Sequence, residues 1–354
     1  MSEGRNYRLD VYKQYGDASF THYWFGGVKV ESAHKRVISY LRVSVTDRCN
    51  FRCAYCMPYG IKWLNHSDIL SYEELLRLIS VFAGEGIANI RLTGGEPLVR
   101  RDIVDFVSAI TKLRVVKDLS MTTNGSLLPV MAQKLKAAGL DRVNISLDTV
   151  NRERFAKVTA CGRLEDTLRG VESALAAGLT PVKLNVVLTD ALKESDLAYF
   201  IELTDTQPIS VRFIEYMPIG GKVNSLGPDI EGVKKLLEAL GHGKLVPADS
   251  AIGSGPARYY RLNESIGTFG FITPISDHFC SACNRLRLTA DGKLKPCLLS
   301  DNEVDLKTPL RSGASDVELA RLFQLAVEAK PEGHSLCRSS GYPEFQRKMS
   351  QIGG

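Results

Sequence analysis

A chain of 354 residues with 44% hydrophobic side chains can bury a sizeable core, and its 45 basic against 40 acidic residues leave a formal charge of +5. That balance is too mild to argue for a nucleic-acid surface, though it suits a local basic pocket for an anion. No apolar run approaches the about 20 residues of a membrane span, and the first 30 residues show neither an apolar signal region nor a transit-peptide pattern, so the cytoplasm is the expected compartment.

From residue 38 the chain alternates short β-branched runs with longer amphipathic ones. Ile38–Val45, Asn89–Leu92, Leu119–Thr122, Arg142–Leu147, Val182–Leu188 and Ser210–Glu215 read as strands bounded by turn residues. Between them, Tyr72–Ala83 and Val130–Ala138 read as helices. Ser71 followed by Glu74 is a capping box, and Gly139 and Gly178 stand where helices should end. Six βα units imply a parallel sheet with right-handed crossovers. Eight would close a full barrel, so the expected fold is α/β, an open partial (β/α)6 TIM-like barrel over residues 36–218. Residues 1–35 carry no readable role. Residues 219–354 form the expected C-terminal extension, with a helix near Ile230–Leu240, a β-hairpin or meander over Arg258–Thr273 and a helix over Asp316–Ala329.

The polar motifs follow the strands. Cys49, Cys53 and Cys56 lie after the first, and Thr93-Gly94-Gly95-Glu96-Pro97 after the second. Thr122-Thr123-Asn124-Gly125 closes the third, Ser146-Leu147-Asp148 the fourth, and Glu215-Tyr216-Met217-Pro218 the sixth. All sit at carboxyl ends, the face on which barrel enzymes assemble their sites.

Cys-x3-Cys-x2-Cys is a spacing for an iron–sulfur cube, whose usual ligands are thiolates. Three thiolates leave one iron open to a small molecule. A structural zinc site lacking its fourth ligand, or three unrelated buried thiols, would be the plainer reading. The glycines of Gly94-Gly95-Glu96-Pro97 allow a ligand close to the backbone. A second group, Cys280-Ser281-Ala282-Cys283 and then Cys297, also offers three thiols. Zinc completed by His278 or Asp277 is one reading of it. Arg285 and Arg287 follow directly, and in an extended segment they point to the same side. Such a fork suits phosphate oxygens, so the pattern reads as a nucleotide site. Cys161 and Cys337 lie outside both groups and read as incidental thiols.

The cluster loop resembles that of radical S-adenosylmethionine (SAM) enzymes, down to Tyr55 before the last cysteine. With Leu41–Cys49, Phe279–Gly292 and the pair Gly353-Gly354, the chain from about residue 36 onward is similar to the GTP 3′,8-cyclase family, which performs the first step of molybdenum cofactor biosynthesis. The resemblance implies two 4Fe–4S clusters, one on Cys49, Cys53 and Cys56 and an auxiliary one on Cys280, Cys283 and Cys297, with SAM as co-substrate. It implies SAM contacts from Tyr55, Gly94, Gly95, Glu96, Thr122, Ser146 and Met217. GTP contacts would come from Arg42, Arg91, Lys183, Arg212, Arg285 and Arg287, the last two close to the chemistry. The Gly353-Gly354 tail would thread into the site. Implied partners are a flavodoxin- or ferredoxin-type electron donor and the downstream cyclic pyranopterin monophosphate synthase, and a homodimer is compatible with the resemblance.

Asn89 departs from the family pattern, standing where many relatives carry a basic residue, and the first 34 residues match nothing in it. Two rivals differ in class. A radical SAM enzyme acting on a peptide would carry more carboxyl-terminal cysteines and have less use for Arg285 and Arg287. An electron carrier would need four cysteines per cluster and no Gly-Gly-Glu-Pro ledge.

Overall fold

The computed structural model describes residues 30–57, 60–219, 227–249, 255–334, 336 and 345–354. Most of the N-terminal extension, and Cys337, lie outside the described residues. The six expected strands form within about two residues of their expected ends: β1 (Tyr40–Ser44), β2 (Asn89–Thr93), β3 (Asp118–Thr123), β4 (Arg142–Ser146), β5 (Val182–Val187) and β6 (Ile209–Ile214). They lie side by side in chain order, each parallel to the next.

The C-terminal stretch adds strands to both edges of this sheet. β7 (Leu245–Pro247), β8 (Arg258–Leu262) and β9 (Thr268–Ile272) come first in the chain, then β10 (Arg285–Leu288), β11 (Lys293–Lys295) and β12 (Val304–Asp305). β9 pairs parallel with β6, while β10 pairs parallel with β1 at the opposite edge. The order is β12-β11-β10-β1-β2-β3-β4-β5-β6-β9-β8-β7, and β12 and β7 do not pair, so the barrel stays open as expected.

Strand sequence explains the two faces. Parallel strands covered on both sides read as near-continuous apolar runs, but here polar and apolar residues alternate. Leu41, Val43, Ile90, Leu92, Leu119, Met121, Val143, Ile145, Leu184, Val186, Val211 and Phe213 are buried in one core with Leu75, Leu78, Phe82, Phe106 and Ile110 from the helices. Each such side chain contributes about 1.5–3 kcal/mol, so this outer layer carries the stability. The intervening residues face inward: Tyr40, Arg42, Arg91, Ser120, Arg142, Asn144, Lys183, Ser210 and Arg212. The register sets Arg42 level with Arg91 on one side and Arg287 on the other.

The expected helix signals hold. Helix Tyr72–Gly84 starts with the Ser71–Glu74 capping box, Glu74 N–H donating to Ser71 Oγ (3.1 Å) and Ser71 N–H to Glu74 Oε2 (2.7 Å). Ser315 and Glu318 repeat the device at helix Asp316–Glu328. Gly139 and Gly178 follow their helices with φ of +98° and +71°.

Candidate active site

The carboxyl ends of β1, β2 and β3 are stitched into one surface. The loop after β1 carries Cys49, Cys53 and Cys56, all half-buried. Its last two cysteines share a turn in which Cys56 N–H donates to the Cys53 carbonyl (3.0 Å). The Gly-Gly-Glu-Pro ledge lies against this loop, with Gly95 N–H donating to Thr46 O and Glu96 N–H to Arg48 O, each at 2.7 Å. A Cβ on Gly94 or Gly95 would strike the Thr46 or Arg48 carbonyl. The glycines are therefore required for close packing of ledge on loop, a reason the sequence alone did not suggest.

Glu96 is 1% exposed and its carboxylate is fully engaged. Oε1 accepts from Leu98 N–H (3.0 Å) and Thr123 Oγ1 (2.7 Å), and Oε2 from Asn124 N–H (2.7 Å). Burial pushes this carboxyl up to about 7, against those hydrogen bonds. Asn124 reaches on to Asn50 Oδ1 (2.8 Å) in the cysteine loop. Tyr55 donates its phenol proton to Asp148 Oδ2 (2.7 Å), and Asp148 Oδ1 accepts from Val187 N–H (2.9 Å), tying the loop to β4 and β5.

The three loop thiols show what this site needs. Burial raises Cys49 to about 11 and Cys56 to about 12 and carries Cys53 well up. The neighbouring sulfurs and Asp148 add to the shift at Cys53 and Cys56, and Glu96 adds to it at Cys49. Thiolates on this loop would need bound positive charge beside them, a condition that a metal centre meets. One zinc ion would draw its sulfurs to within about 4 Å of one another, given Zn–S bonds of about 2.3 Å. Among the described residues, the His, Cys, Asp or Glu trio whose ligand atoms all lie within 4.8 Å is instead His278, Cys280 and His334. Of the two residues named for a zinc reading of the second set, His278 thus lies near Cys280, while Asp277 pairs with Arg258 (2.7 Å).

Deeper on the inner face lies a group of buried cations. Arg91, Lys183 and Arg212 are 7%, 3% and 4% exposed. Arg91 Nε donates to Ser120 Oγ (3.2 Å). The Asn144 amide, oriented with its oxygen toward the guanidiniums, accepts from Arg91 and from Arg212 Nη2 (3.1 Å), and Arg212 also donates to Asn185 Oδ1. Arg142 pairs with Asp118. Lys183 sits over the Tyr259 ring (5.6 Å). Burial, then Arg212, Arg142 and Arg91, pull Lys183 down to about 6. Burial, Arg287 and Arg91 likewise draw Arg42 well down. These shifts report a local surplus of positive charge. Arg42 Nε, Arg212 Nε and Thr122 Oγ1 are buried without a hydrogen-bond partner among the described residues. Such orphaned groups on an inner face fit a polar, anionic guest.

The second cysteine set brackets β10 and β11, with Cys280 and Cys283 before β10 and Cys297 after β11. Cys280–Ala282 forms a 3-10 turn, closed by Cys283 N–H to Cys280 O (3.1 Å). Although burial opposes it, Arg285 and Lys330 bring the Cys283 thiol down to about 6. Arg285 lies over the Phe279 ring (5.0 Å). Arg287, 7% exposed, is on the same side as expected. It donates to Gly353 O (3.1 Å), as does Arg42 Nη2 (3.2 Å), which also donates to Gly354 O. The tail is held in place by Ile352, buried with Ile219, Ile275, Leu336 and Phe345, and Met217 packs on that cluster. Gly353 has φ +75°, and a Cβ there would collide with Thr93 Oγ1. The Gly353-Gly354 pair thus lies beside the ends of β1 and β2, and Ser146 ends β4. Asn89, the departure from the family pattern, turns its amide back to Ser39 O (3.2 Å) at the start of β2.

Comparisons with known proteins identify the family. Residues 43–204 match the Radical SAM superfamily and residues 209–336 match Molybdenum Cofactor Synthesis C. The GTP 3′,8-cyclase of Heliobacterium modesticaldum is 53% identical over 91% of this chain and 99% of its own. That of Pelotomaculum thermopropionicum is 46% identical over 92% and 100%. The chain belongs to the GTP 3′,8-cyclase family. Streptococcus suis SuiB bound to S-adenosylmethionine shares the fold, with TM-score 0.59 and 14% identity over 80% of this chain and 67% of that one.

As a radical SAM protein, this GTP 3′,8-cyclase family member works with a 4Fe–4S cluster and SAM. Arg142, Asn144, Asn185 and Tyr259 line the cation group without a motif to announce them. The available signal was strand alternation, since Arg142 and Asn144 share a face with Ser146. No helix among the described residues is long and apolar enough to cross a membrane.

Proposed function

We propose that this chain is a GTP 3′,8-cyclase, converting GTP to (8S)-3′,8-cyclo-7,8-dihydroguanosine 5′-triphosphate, the first step of molybdenum cofactor biosynthesis. The reading is supported by the relatives and by one observation above all: a buried, mutually depressed group of cations with orphaned donors on the same inner face as the cysteine loop. A peptide substrate has no need of so much buried positive charge, and a triphosphate does.

Cys49, Cys53 and Cys56 would hold the first cluster, and Cys280, Cys283 and Cys297 a second. When bound, the first cluster and SAM supply a 5′-deoxyadenosyl radical able to take hydrogen from carbon 3′ of GTP, allowing closure onto carbon 8, and one electron and one proton then complete the product. The chain's own residues do the rest. Arg91, Lys183 and Arg212 receive the triphosphate, with Asn144 and Asn185 holding the guanidiniums at fixed angles. Arg285, Arg287 and Arg42 border the second cysteine set and orient the nucleotide there, the tail spanning Arg42 and Arg287. Gly94, Gly95, Glu96, Thr122, Ser146, Tyr55 and Met217 border the SAM position. Tyr55 and Glu96 serve it by bracing loop and ledge, their polar atoms being already engaged. Orientation and exclusion of water are the protein's share of such chemistry. Both electrons, one to cleave SAM and one to complete the closed ring, would come from a flavodoxin- or ferredoxin-type donor in the cytoplasm, and the product would pass to a cyclic pyranopterin monophosphate synthase.

The test is an anaerobic assay with reconstituted protein, SAM, GTP and a strong reductant. Formation of 5′-deoxyadenosine together with a GTP isomer of altered retention is the expected result. Deoxyadenosine without consumption of GTP would remove the substrate assignment.

A further inference from the structure

Two buried cations fasten the second cysteine set to one short segment. Arg36, 7% exposed, donates from Nη1 to the carbonyls of Cys280 (2.8 Å) and Glu332 (3.2 Å). Its Nη2 donates to those of Lys330 (3.2 Å) and Pro331 (2.6 Å). Lys330, 2% exposed, donates from Nζ to Arg285 O and Pro296 O, each at 2.8 Å. Arg285 comes two residues after Cys283, and Pro296 directly precedes Cys297. Every arm that carries a cysteine of this set is therefore anchored to Lys330–Glu332, just beyond helix Asp316–Glu328.

A buried ammonium is costly, and an apolar side chain of similar volume would often be at least as stabilising. Its two carbonyl bonds fix backbone spacing, and they set its charge beside the residues that carry Cys283 and Cys297. Hydrogen bonds and net charge at the sulfurs set the potential of a thiolate-held cluster.

We propose that Lys330 is a positioning residue for the second iron–sulfur cluster: it holds the Cys283 and Cys297 arms at binding distance, with Arg36 holding Cys280, and its charge makes that cluster easier to reduce. The inference rests on Cys280, Cys283 and Cys297 being cluster ligands, and its test separates the two ideas.

The parent for the test is the full chain with Cys49→Ala, Cys53→Ala and Cys56→Ala, which leaves the second set alone. It is reconstituted anaerobically with iron and sulfide. Iron per chain, the electron paramagnetic resonance spectrum of the reduced cluster and its midpoint potential are then measured. Failure of this parent to take up iron would overturn the cluster assignment itself. If the parent loads, Lys330→Met should hold its cluster about 10-fold or more weakly, the usual cost of losing an outer-shell partner. Its potential should be lower and its spectrum altered. Lys330→Gln keeps donors without charge, and should load better than Lys330→Met while keeping the lowered potential. Failure of both variants to load, with cooperative melting like the parent's, would support the role in spacing. Unchanged potential and spectrum in a loaded variant would overturn the proposal. So would loss of the fold in both, which would make Lys330 a general support.

Discussion

The two cysteine sets have the same number of thiols and opposite surroundings. The loop after β1 sets its sulfurs beside Glu96 and Asp148, and burial drives all three thiols up. The set around β10 and β11 sits among Arg285, Arg287 and Lys330, and Cys283 is drawn down to about 6. Equal ligands in unequal fields imply unequal tasks. An acidic, apolar pocket disfavours added electrons, as suits a cluster that must reduce strongly. A cationic pocket welcomes them, and welcomes an anionic nucleotide as well.

The sharpest way to break this comparison is to remove one sulfur from each side. Cys49→Ala should abolish 5′-deoxyadenosine formation, while Cys283→Ala should retain it and lose the cyclised nucleotide, both read by anaerobic chromatography. Loss of SAM cleavage in both would mean that the sites do not divide the work. Next in size is Arg212→Ala. A hydrogen bond to a charged group contributes about 1.5–3 kcal/mol, so GTP affinity should fall about 10- to 150-fold by anaerobic calorimetry, with SAM binding unchanged. Glu96→Gln tests the bracing of the first site. One amide oxygen cannot replace two carboxylate oxygens, and the new NH2 would face either the Asn124 N–H or the Leu98 N–H. A loss of about 1–3 kcal/mol is expected in denaturant unfolding.

The smallest effect concerns protons. Lys183 sits near 6 in the nucleotide-free protein. A bound triphosphate favours the charged form and raises that value, so GTP binding should take up a proton at neutral pH. Affinity should therefore rise modestly as pH falls from the raised value toward about 6, and level off below it. Calorimetry in buffers of different ionisation enthalpy detects the uptake, and Lys183→Met should remove it.

Much of the first site was legible because its signals are local. Cysteine spacing, the capping box at Ser71 and motifs at strand ends each depend on a few neighbouring residues. The ledge glycines were legible as important but for a different reason, because the loop they pack against belongs to another strand. Arg142 and Asn144 needed strand alternation to be taken as far as the inner face. Arg36 and Lys330 were invisible for a stronger reason. Arg36 meets the Cys280 carbonyl across 244 positions of chain, and no pattern within either stretch marks the meeting. The engagement of Asn89 with Ser39 O likewise depends on how two strands start together.

Pairing of β10 with β1 has a consequence for how the chain comes off the ribosome. Tyr40 finds its partner in Arg285, so the β1 edge remains unpaired while everything between is made. At about 5–20 residues per second that interval is on the order of 10 to 50 s. Non-local pairings of this kind are slow to form, and a bare strand edge is a template for association with other chains. Slower growth, lower temperature or added chaperone should therefore raise the soluble yield more than stronger expression does. A fragment ending near residue 218 would keep both edges bare for its whole life.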